Sequence, residues 1–402
     1  MKQPVVVIGH GYTSRLGVIR ALGREGYEVT VIVMTGYNRD GKTLNTKKPI
    51  DCYSKYVSRV LYCPSNGEKL IELLLDKCVD PTSKVIIFAD SDFSEATVDL
   101  NQQRLQDYFL FSNINHQPGA VVAWMDKLRQ KRAAKEVGLN VADSWVIDVD
   151  NSLYEIPKEV QYPCFPKPIC TIVGGKGGLK RCDNEEELKR VIDSLKIKNP
   201  NIKVLVEEFK QIETEYALMG FSDGTTVVIP GIIKTLSLAS GGHFGVAKQG
   251  KILPTEGFEG FIRQFDQFVL NTGFVGIFDI DFYKSEGKFY FCEMNLRYGG
   301  SGYAYTAKGV NLPVMMTRFL LGQSIADMKK DITEEGVFVN ERMCREDWNS
   351  NYINTKQLKQ LIDTADISFL YDPDDPVPRR MFYKDINNPM RRIKRLIRKY
   401  LG

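Results

Sequence analysis

No run of about 18 apolar residues occurs in this chain of 402 residues, so it offers no candidate transmembrane helix. The opening MKQPVVVIGHG has too short an apolar run for a secretory signal and reads as a first strand. Histidine is scarce, at three. None of the eight cysteines (Cys52, Cys63, Cys78, Cys164, Cys170, Cys182, Cys292 and Cys344) forms a C-x-x-C pair. A zinc site is therefore not expected, and a reduced, cytoplasmic setting is the simplest reading. Charge of one sign is also lacking. A formal net charge of +4 gives no argument for a nucleic-acid partner. The sequence has no internal repeat, no low-complexity segment, no G-x-S-x-G and no Cys/His arrangement for nucleophilic catalysis.

What is present is ordinary for a globular protein: 43% hydrophobic and 26% charged residues. The length suffices for two or three domains, each with its own core. In residues 1–124 strands and helices alternate. PVVVIGHG is a buried strand, SRLGVIRALGREG a helix, YEVTVIVM a strand, YVSRVLYCP a strand, GEKLIELLLDKC a helix and KVIIFAD a strand. Such alternation predicts a parallel α/β sheet with helices on its faces. Gly9, Gly11 and Gly17 suggest a dinucleotide loop, but Ser14 stands where the third glycine of G-x-G-x-x-G would fall. The second strand also supplies no acid for a ribose. The turn then reads either as a tight strand-to-helix connection or as a small-molecule site at the carboxyl ends of the strands. In the second case Ser14 and Arg15 face the ligand, Arg15 suiting a carboxylate, together with Asp90, Ser91 and Asp92.

Residues 125–325 carry the chemistry. MDKLRQKRAAKEVG is a basic helix stopped at Gly138, and Lys167 lies on an extended piece between two prolines. Gly174, Gly175, Lys176, Gly177 and Gly178 form a glycine-rich loop that can fold over phosphates or serve as a flexible turn. It is not a Walker A loop, because Lys176 is followed by Gly177 and not by Ser or Thr. The stretch Ile277–Gly300, IFDIDFYKSEGKFYFCEMNLRYGG, holds two strands around a turn at Ser285, Glu286 and Gly287. A hairpin closed there brings Asp281 near Glu293. Asn295 and Arg297 follow at steps of two on the same strand face. Hard oxygens at close range suit Mg²⁺, and a guanidinium suits a phosphate or acyl phosphate. The other reading is a solvated sheet face with paired charges.

The order of these parts resembles the ATP-grasp superfamily over residues 4–325. The carrying residues are Lys127, Lys167-Pro168, Gly174–Gly178, Glu207-Glu208-Phe209, and Asp281…Glu293-Met294-Asn295-Leu296-Arg297. The resemblance implies ATP as cofactor with Mg²⁺, or Mn²⁺ in its place. It implies an α/β and α+β fold: a Rossmann-like pre-ATP-grasp domain (1–124), then a two-subdomain ATP-grasp fold (125–325), then a C-terminal extension (326–402). The nucleotide would lie between subdomains 125–206 and 207–325. Lys127 and Lys167 would contact phosphates, with the glycine loop closing over them. Glu207 to Phe209 would line the adenine pocket, Glu208 and Phe209 through backbone groups, and Glu215 would bind ribose. Asp281, Glu293 and Asn295 would hold the metal, and Arg297 would steady an acyl phosphate. Asp281 stands where the family commonly has Glu.

The implied activity is a carboxylate–amine ligase working on small molecules through an acyl phosphate. The size, the N-terminal segment and the YSKYV piece, Tyr53 to Val57, resemble the D-aspartate ligase type, which joins an amino-acid carboxylate to an amine on a cell-wall precursor. Alternatives are a carboxylase or kinase-like use of the acyl phosphate, or a nucleotide-binding regulator. Dimers are common in the resembled family. Lys234, His243 and Ser301 are further substrate candidates, the first two beside or within the loop LASGGHFGVAKQG. VFVNERMCRE reads as strand, ISFLYDPDDPVPRRMFY as loop, and NPMRRIKRLIRKYLG as a basic amphipathic helix. That last helix, residues 390–401, either lies on an anionic membrane surface or packs on the body with its charges solvated.

Overall fold

The computed structural model describes residues 2–10, 13–38, 41–150, 153–170, 172, 179–197, 199–240 and 246–390. Three sheets organise them. The N-terminal sheet has five parallel strands in the order Val57–Pro64, Glu28–Thr35, Pro4–Gly9, Val85–Ala89, Phe109–Leu110. Its inner strands are runs of Val and Ile buried on both faces, as helices on each side of a parallel sheet require.

A small antiparallel sheet follows, with Lys203–Glu208 between Ser144–Asp148 and Cys164–Pro168. Helix Glu185–Lys196 covers it, burying Leu188, Val191, Ile192 and Leu195 at helical spacing. The large mixed sheet is built on Thr214–Asp223, which pairs along its whole length with Phe274–Ser285. The latter strand turns at Glu286 and Gly287, both at positive φ, into Lys288–Asn295. Two positive φ values in a two-residue loop match the right-handed twist of a hairpin, and Gly287 accepts that backbone without strain. Helix Glu259–Thr272 packs one face of this sheet with Phe265, Phe268 and Val269.

The other face of the large sheet shares a core with the N-terminal domain. Met219, Phe221 and Ile277 belong to one buried cluster with Val5, Val7, Val18, Ile19 and Met315. Helices Thr13–Arg24 and Leu312–Leu320 contribute to that cluster. One face of the N-terminal sheet and this face of the large sheet are thereby held in one core.

Residues 326–390 differ in part from the sequence-based expectation. Only Gly336–Val339 of VFVNERMCRE is a strand, joined to the large sheet beside Ala247–Leu253. Asn340 then caps a helix, Glu341–Asn349, with its side chain accepting from the Met343 amide. The expected loop contains a second helix, Val377–Ile386, with a proline in its first turn, where a missing N–H does no harm. These helices pack on Leu16 through Cys344, Trp348 and Phe382, with Leu358 of a third helix, Thr355–Asp363, and Leu370 in the same cluster. Arg20 is fully buried and donates to the Phe369 and Leu370 carbonyls, each at 2.9 Å, and to Asp375 at 3.0 Å. All eight cysteines are free. Among the described residues no helix is long and apolar enough to cross a membrane. The basic helix expected at the C-terminus lies, from residue 391 onward, outside the described residues.

Candidate active site

Helix Lys127–Glu136 stands between the small and large sheets. Asp126 caps it, accepting from the Arg129 amide at 2.8 Å, and Gly138 ends it at φ +84°. Its buried face carries Lys127, Gln130, Lys131 and Ala134. Gln130 exchanges two hydrogen bonds of 2.8 Å with the Met294 backbone, which fixes the helix against the hairpin. Lys127 then reaches Glu293 at 2.9 Å on the large sheet. Lys131, one turn on, pairs with Glu207 on the small sheet and donates to the Ala142 carbonyl at 3.0 Å. Lys167 approaches the same carboxylate from its own strand at 2.9 Å.

Glu207 thus sits between two lysines. Burial works against its charge, but Lys167 and Lys131 together hold its carboxyl below the ordinary range. Lys131 is shifted down, chiefly by burial and secondarily by repulsion from Lys167 against the pull of Glu207. Burial also opposes the charge of Lys167, yet Glu207 and Glu293 outweigh it and raise its pKa. The charge of Lys167 is therefore held against the cost of burial, an arrangement suited to a polyanion.

The hairpin supplies the opposite polarity. Asp281 lies directly across from Glu293, and Asp279 across from Asn295. A register shift after Asp281 sets Cys292 out of the pairing, so the ladder bends at this point. Asn295 Nδ2 lies 3.4 Å from Asp281 Oδ2, and Arg297 Nη2 donates to Asn295 Oδ1 at 3.2 Å. Arg297 falls just beyond the strand, so its reach comes from side-chain length and not from the two-residue period. Its Nε donates to Asp92 of the N-terminal domain at 2.6 Å.

Among the described residues no group of three or more His, Cys, Asp or Glu is gathered as a metal cage. Two carboxylates and one amide oxygen are donors of the kind that Mg²⁺ or Mn²⁺ takes, with Asn295 Oδ1 here turned to Arg297 and its Nδ2 to Asp281. Such ions take few protein oxygens and complete their shell with water and phosphate. Lys127 already places a cation against Glu293.

The remaining predicted residues fall in several places. Glu215 is half-buried on the large sheet opposite Tyr283, and burial raises its pKa. The Glu208 and Phe209 amides donate to the Asp143 and Pro163 carbonyls at 2.9 and 3.0 Å, so adenine contacts through those two N–H groups are not available. Arg181 stacks over the Phe209 ring at 4.8 Å. Lys234 pairs in register with Tyr216 on the large sheet. Ser301 is half-buried in the turn after Gly300, and Ser14 in the first turn of its helix. Arg15 does not face a ligand: it is fully buried, bonded to Asp51 and to the Gly9 carbonyl. Gly174, Gly175, Lys176, Gly177, Gly178 and His243 lie outside the described residues.

Sequence reasoning missed Lys131, Asp92 as the partner of Arg297, and Asp279. Lys131 had a signal, its spacing of four from Lys127 on one helix face. Asp279 had one too, two residues before Asp281 on the same strand face.

An open parallel domain is followed by a small and a large sheet, and lysines of one helix and one strand meet carboxylates of both sheets. Residues 132–313 match the family model of the ATP-grasp domain, so this part of the chain is an ATP-grasp domain. Similar proteins include the carbamoyl phosphate synthase large chain of Gemmatimonas aurantiaca, 21% identical over 81% of this chain and 29% of that one. The D-alanine–D-alanine ligase of Natranaerobius thermophilus is 26% identical over 55% of this chain and 61% of its own length. The chain thus spans less than two thirds of either relative. The crystal structure of an L-amino acid ligase from Bacillus licheniformis shares the fold, with a TM-score of 0.59 at 15% identity over 84% of this chain and 79% of that one.

Proposed function

We propose that the chain is an ATP-dependent ligase that joins a carboxylate to an amine through an acyl phosphate. The observation that carries this is the gathering of Lys127 and Lys167 with Asp281, Glu293, Asn295 and Arg297 through linked contacts. A carboxylate is a poor acyl donor because oxide would have to leave, and phosphorylation replaces that leaving group with phosphate. ATP supplies the phosphoryl group, and a divalent ion held by Asp281, Glu293 and Asn295 would offset its charge.

The residues have separable roles in this reading. Lys127 and Lys167 release Glu293 and Glu207 in part and turn to the phosphates. Arg297 binds the carboxylate substrate as it becomes an acyl phosphate. No protein nucleophile takes part. The amine attacks the acyl carbon, phosphate leaves, and the amine proton passes to solvent or to a carboxylate of the site. We assign the donor to the amino acids and the acceptor to an amine-bearing cell-wall, capsule or peptide precursor. The similarity to a D-alanine–D-alanine ligase and the shared fold of an L-amino acid ligase support that assignment.

The test is ATP cleavage with Mg²⁺ over a panel of amino acids in the presence of hydroxylamine, which traps an acyl phosphate as a hydroxamate. One amino acid should yield a hydroxamate that disappears in Glu293→Ala. Nucleotide binding without hydroxamate or phosphate release on any carboxylate would replace the ligase by a nucleotide-binding regulator.

A further inference from the structure

Arg297 belongs to the hairpin, yet its strongest partner lies 205 residues earlier in the chain. Asp92 is the first residue of helix Asp92–Leu100, at the carboxyl end of the N-terminal sheet. Ser91 caps that helix, accepting from the Ser94 amide, while Ser94 Oγ accepts from the Ser91 amide. Glu95 is bonded to Ser112, and Asp99 accepts from the Val122 amide at 3.0 Å and from Gln102 at 2.7 Å. Asp92 is therefore presented by a helix tied down at its start, middle and end. A carboxylate in the first turn is also favoured by the helix dipole.

From Asp92 a chain of side chains runs into the metal set. Asp92 Oδ1 accepts from Arg297 Nε at 2.6 Å, and Arg297 Nη2 donates to Asn295 Oδ1 at 3.2 Å. Asn295 Nδ2 in turn lies 3.4 Å from Asp281 Oδ2. The first link is one-fifth exposed on either side, so solvent screens it little. It uses the Nε edge of the guanidinium. The orientation of the planar fork is thereby set, and with it the end of the Asn295 amide that faces Asp281.

We propose that Asp92 is a positioning residue of the active site. It touches neither nucleotide nor metal ligand directly. It holds Arg297 in one orientation towards the reacting carboxylate, and through the Nη2 bond of Arg297 it fixes which way the Asn295 amide faces. Without the tether Arg297 keeps its charge but regains rotamer freedom at several bonds, and a ligand group loose by about 1 Å loses much of its value. The interaction also makes the N-terminal domain part of the catalytic apparatus rather than a separate support.

This proposal rests on the ligase reading for its kinetic arm only, and a metal-binding arm stands apart from it. In the kinetic arm Asp92→Asn should lower kcat for amino-acid-dependent phosphate release tenfold or more. The KM for ATP should stay within twofold, and Asp92→Glu should recover kcat to within threefold of wild type. In an Arg297→Lys background Asp92→Asn should add less than twofold. In the binding arm, Mn²⁺ is titrated by electron paramagnetic resonance into protein saturated with a non-hydrolysable ATP analogue. Asp92→Asn should raise the Kd for Mn²⁺ at least threefold.

Wild-type values for Asp92→Asn in the Mn²⁺ titration overturn the proposal, whether or not the protein turns over. So does an Asp92→Glu variant as impaired as Asp92→Asn with a lowered Tm, which would mark Asp92 as merely structural. Absence of phosphate release by the wild-type chain on every carboxylate would defeat the ligase reading instead, and leave the Mn²⁺ titration to decide the tether.

Discussion

Lys127 Nζ lies 2.9 Å from the Glu293 carboxylate, so the two groups assigned to phosphate and to metal neutralise each other before either ligand arrives. Both side chains are largely buried. In the proposed reading a magnesium–nucleotide complex would exchange this ion pair for two new ones, one on each partner. Lys127→Met should weaken this balance by removing the cation 2.9 Å from Glu293, with a loss of about 1–3 kcal/mol. A divalent ion can replace the missing cation. The melting temperature of the variant should therefore rise with added Mg²⁺ by clearly more than that of the wild type. Equal responses in differential scanning fluorimetry would remove Glu293 from the metal set.

Glu207 answers to two lysines, Lys131 and Lys167, and all three side chains are mostly buried. Glu207→Gln leaves two cations facing one neutral amide. Breaking a buried ion network from one side costs about 3–5 kcal/mol. Lys131→Met should be milder, because Glu207 keeps Lys167 and because burial already disfavours the charge of Lys131. Urea denaturation of the two variants should rank them in that order. The reverse order would mean that Lys167 alone does not neutralise Glu207.

The hairpin that carries Asp281, Glu293 and Asn295 was legible in the sequence, and the reason is local. Alternating β-formers around Ser285-Glu286-Gly287 fix the strands and the turn, and the turn fixes the register that sets Asp281 opposite Glu293. The parallel N-terminal sheet was legible for a similar reason, since its strands are continuous Val and Ile runs. Residues 340–349 were misread because a short apolar run, VFV, dominates the window, and Asn340 as a helix cap has no apolar signal of its own. Arg15 was misread because a charged residue after a strand commonly faces solvent or ligand, whereas here Asp51 lies beneath it. The Asp92–Arg297 contact joins residues far apart in sequence, and no periodicity reports a pairing of that kind.

Glu95 gives the fold a pH dependence with a definite sign. Burial pushes its carboxyl up to about 8, against the Ser112 hydroxyl that favours the charged form, and Asp99 adds to the rise. Arg297 and Asp92 also act on it, with opposite signs. The folded state then holds a proton that the unfolded chain releases near its ordinary pKa of about 4.3. Stability from this group is fully present below that value and falls as pH rises towards 8. Glu95→Gln keeps an acceptor for Ser112 and cannot ionise. Denaturant midpoints should therefore decline less between pH 5 and pH 8 in the variant than in wild type. Parallel declines would show that Glu95 is ionised in the fold.

Gly299 closes the argument on geometry. A Cβ at this position would overlap the carboxylate of Asp279, which lies against the Gly299 backbone. Asp279 is 8% exposed and sits in register opposite Asn295, one strand step from Asp281. It also faces Arg297, whose charge it supports after Asp92. Gly299→Ala cannot be absorbed by the far end of a flexible chain, because a short aspartate on a strand has little room to swing. The carboxylate must move, and Arg297 and Asn295 move with it. We expect kcat to fall by about tenfold to a hundredfold, in the range of a lost transition-state donor. ATP-analogue affinity should stay near wild type, since the lysines are untouched. Asp279→Asn alone should reproduce part of the loss, and combining it with Gly299→Ala should cost less than the two effects added. Full additivity in that cycle would place the harm of the methyl group somewhere other than Asp279.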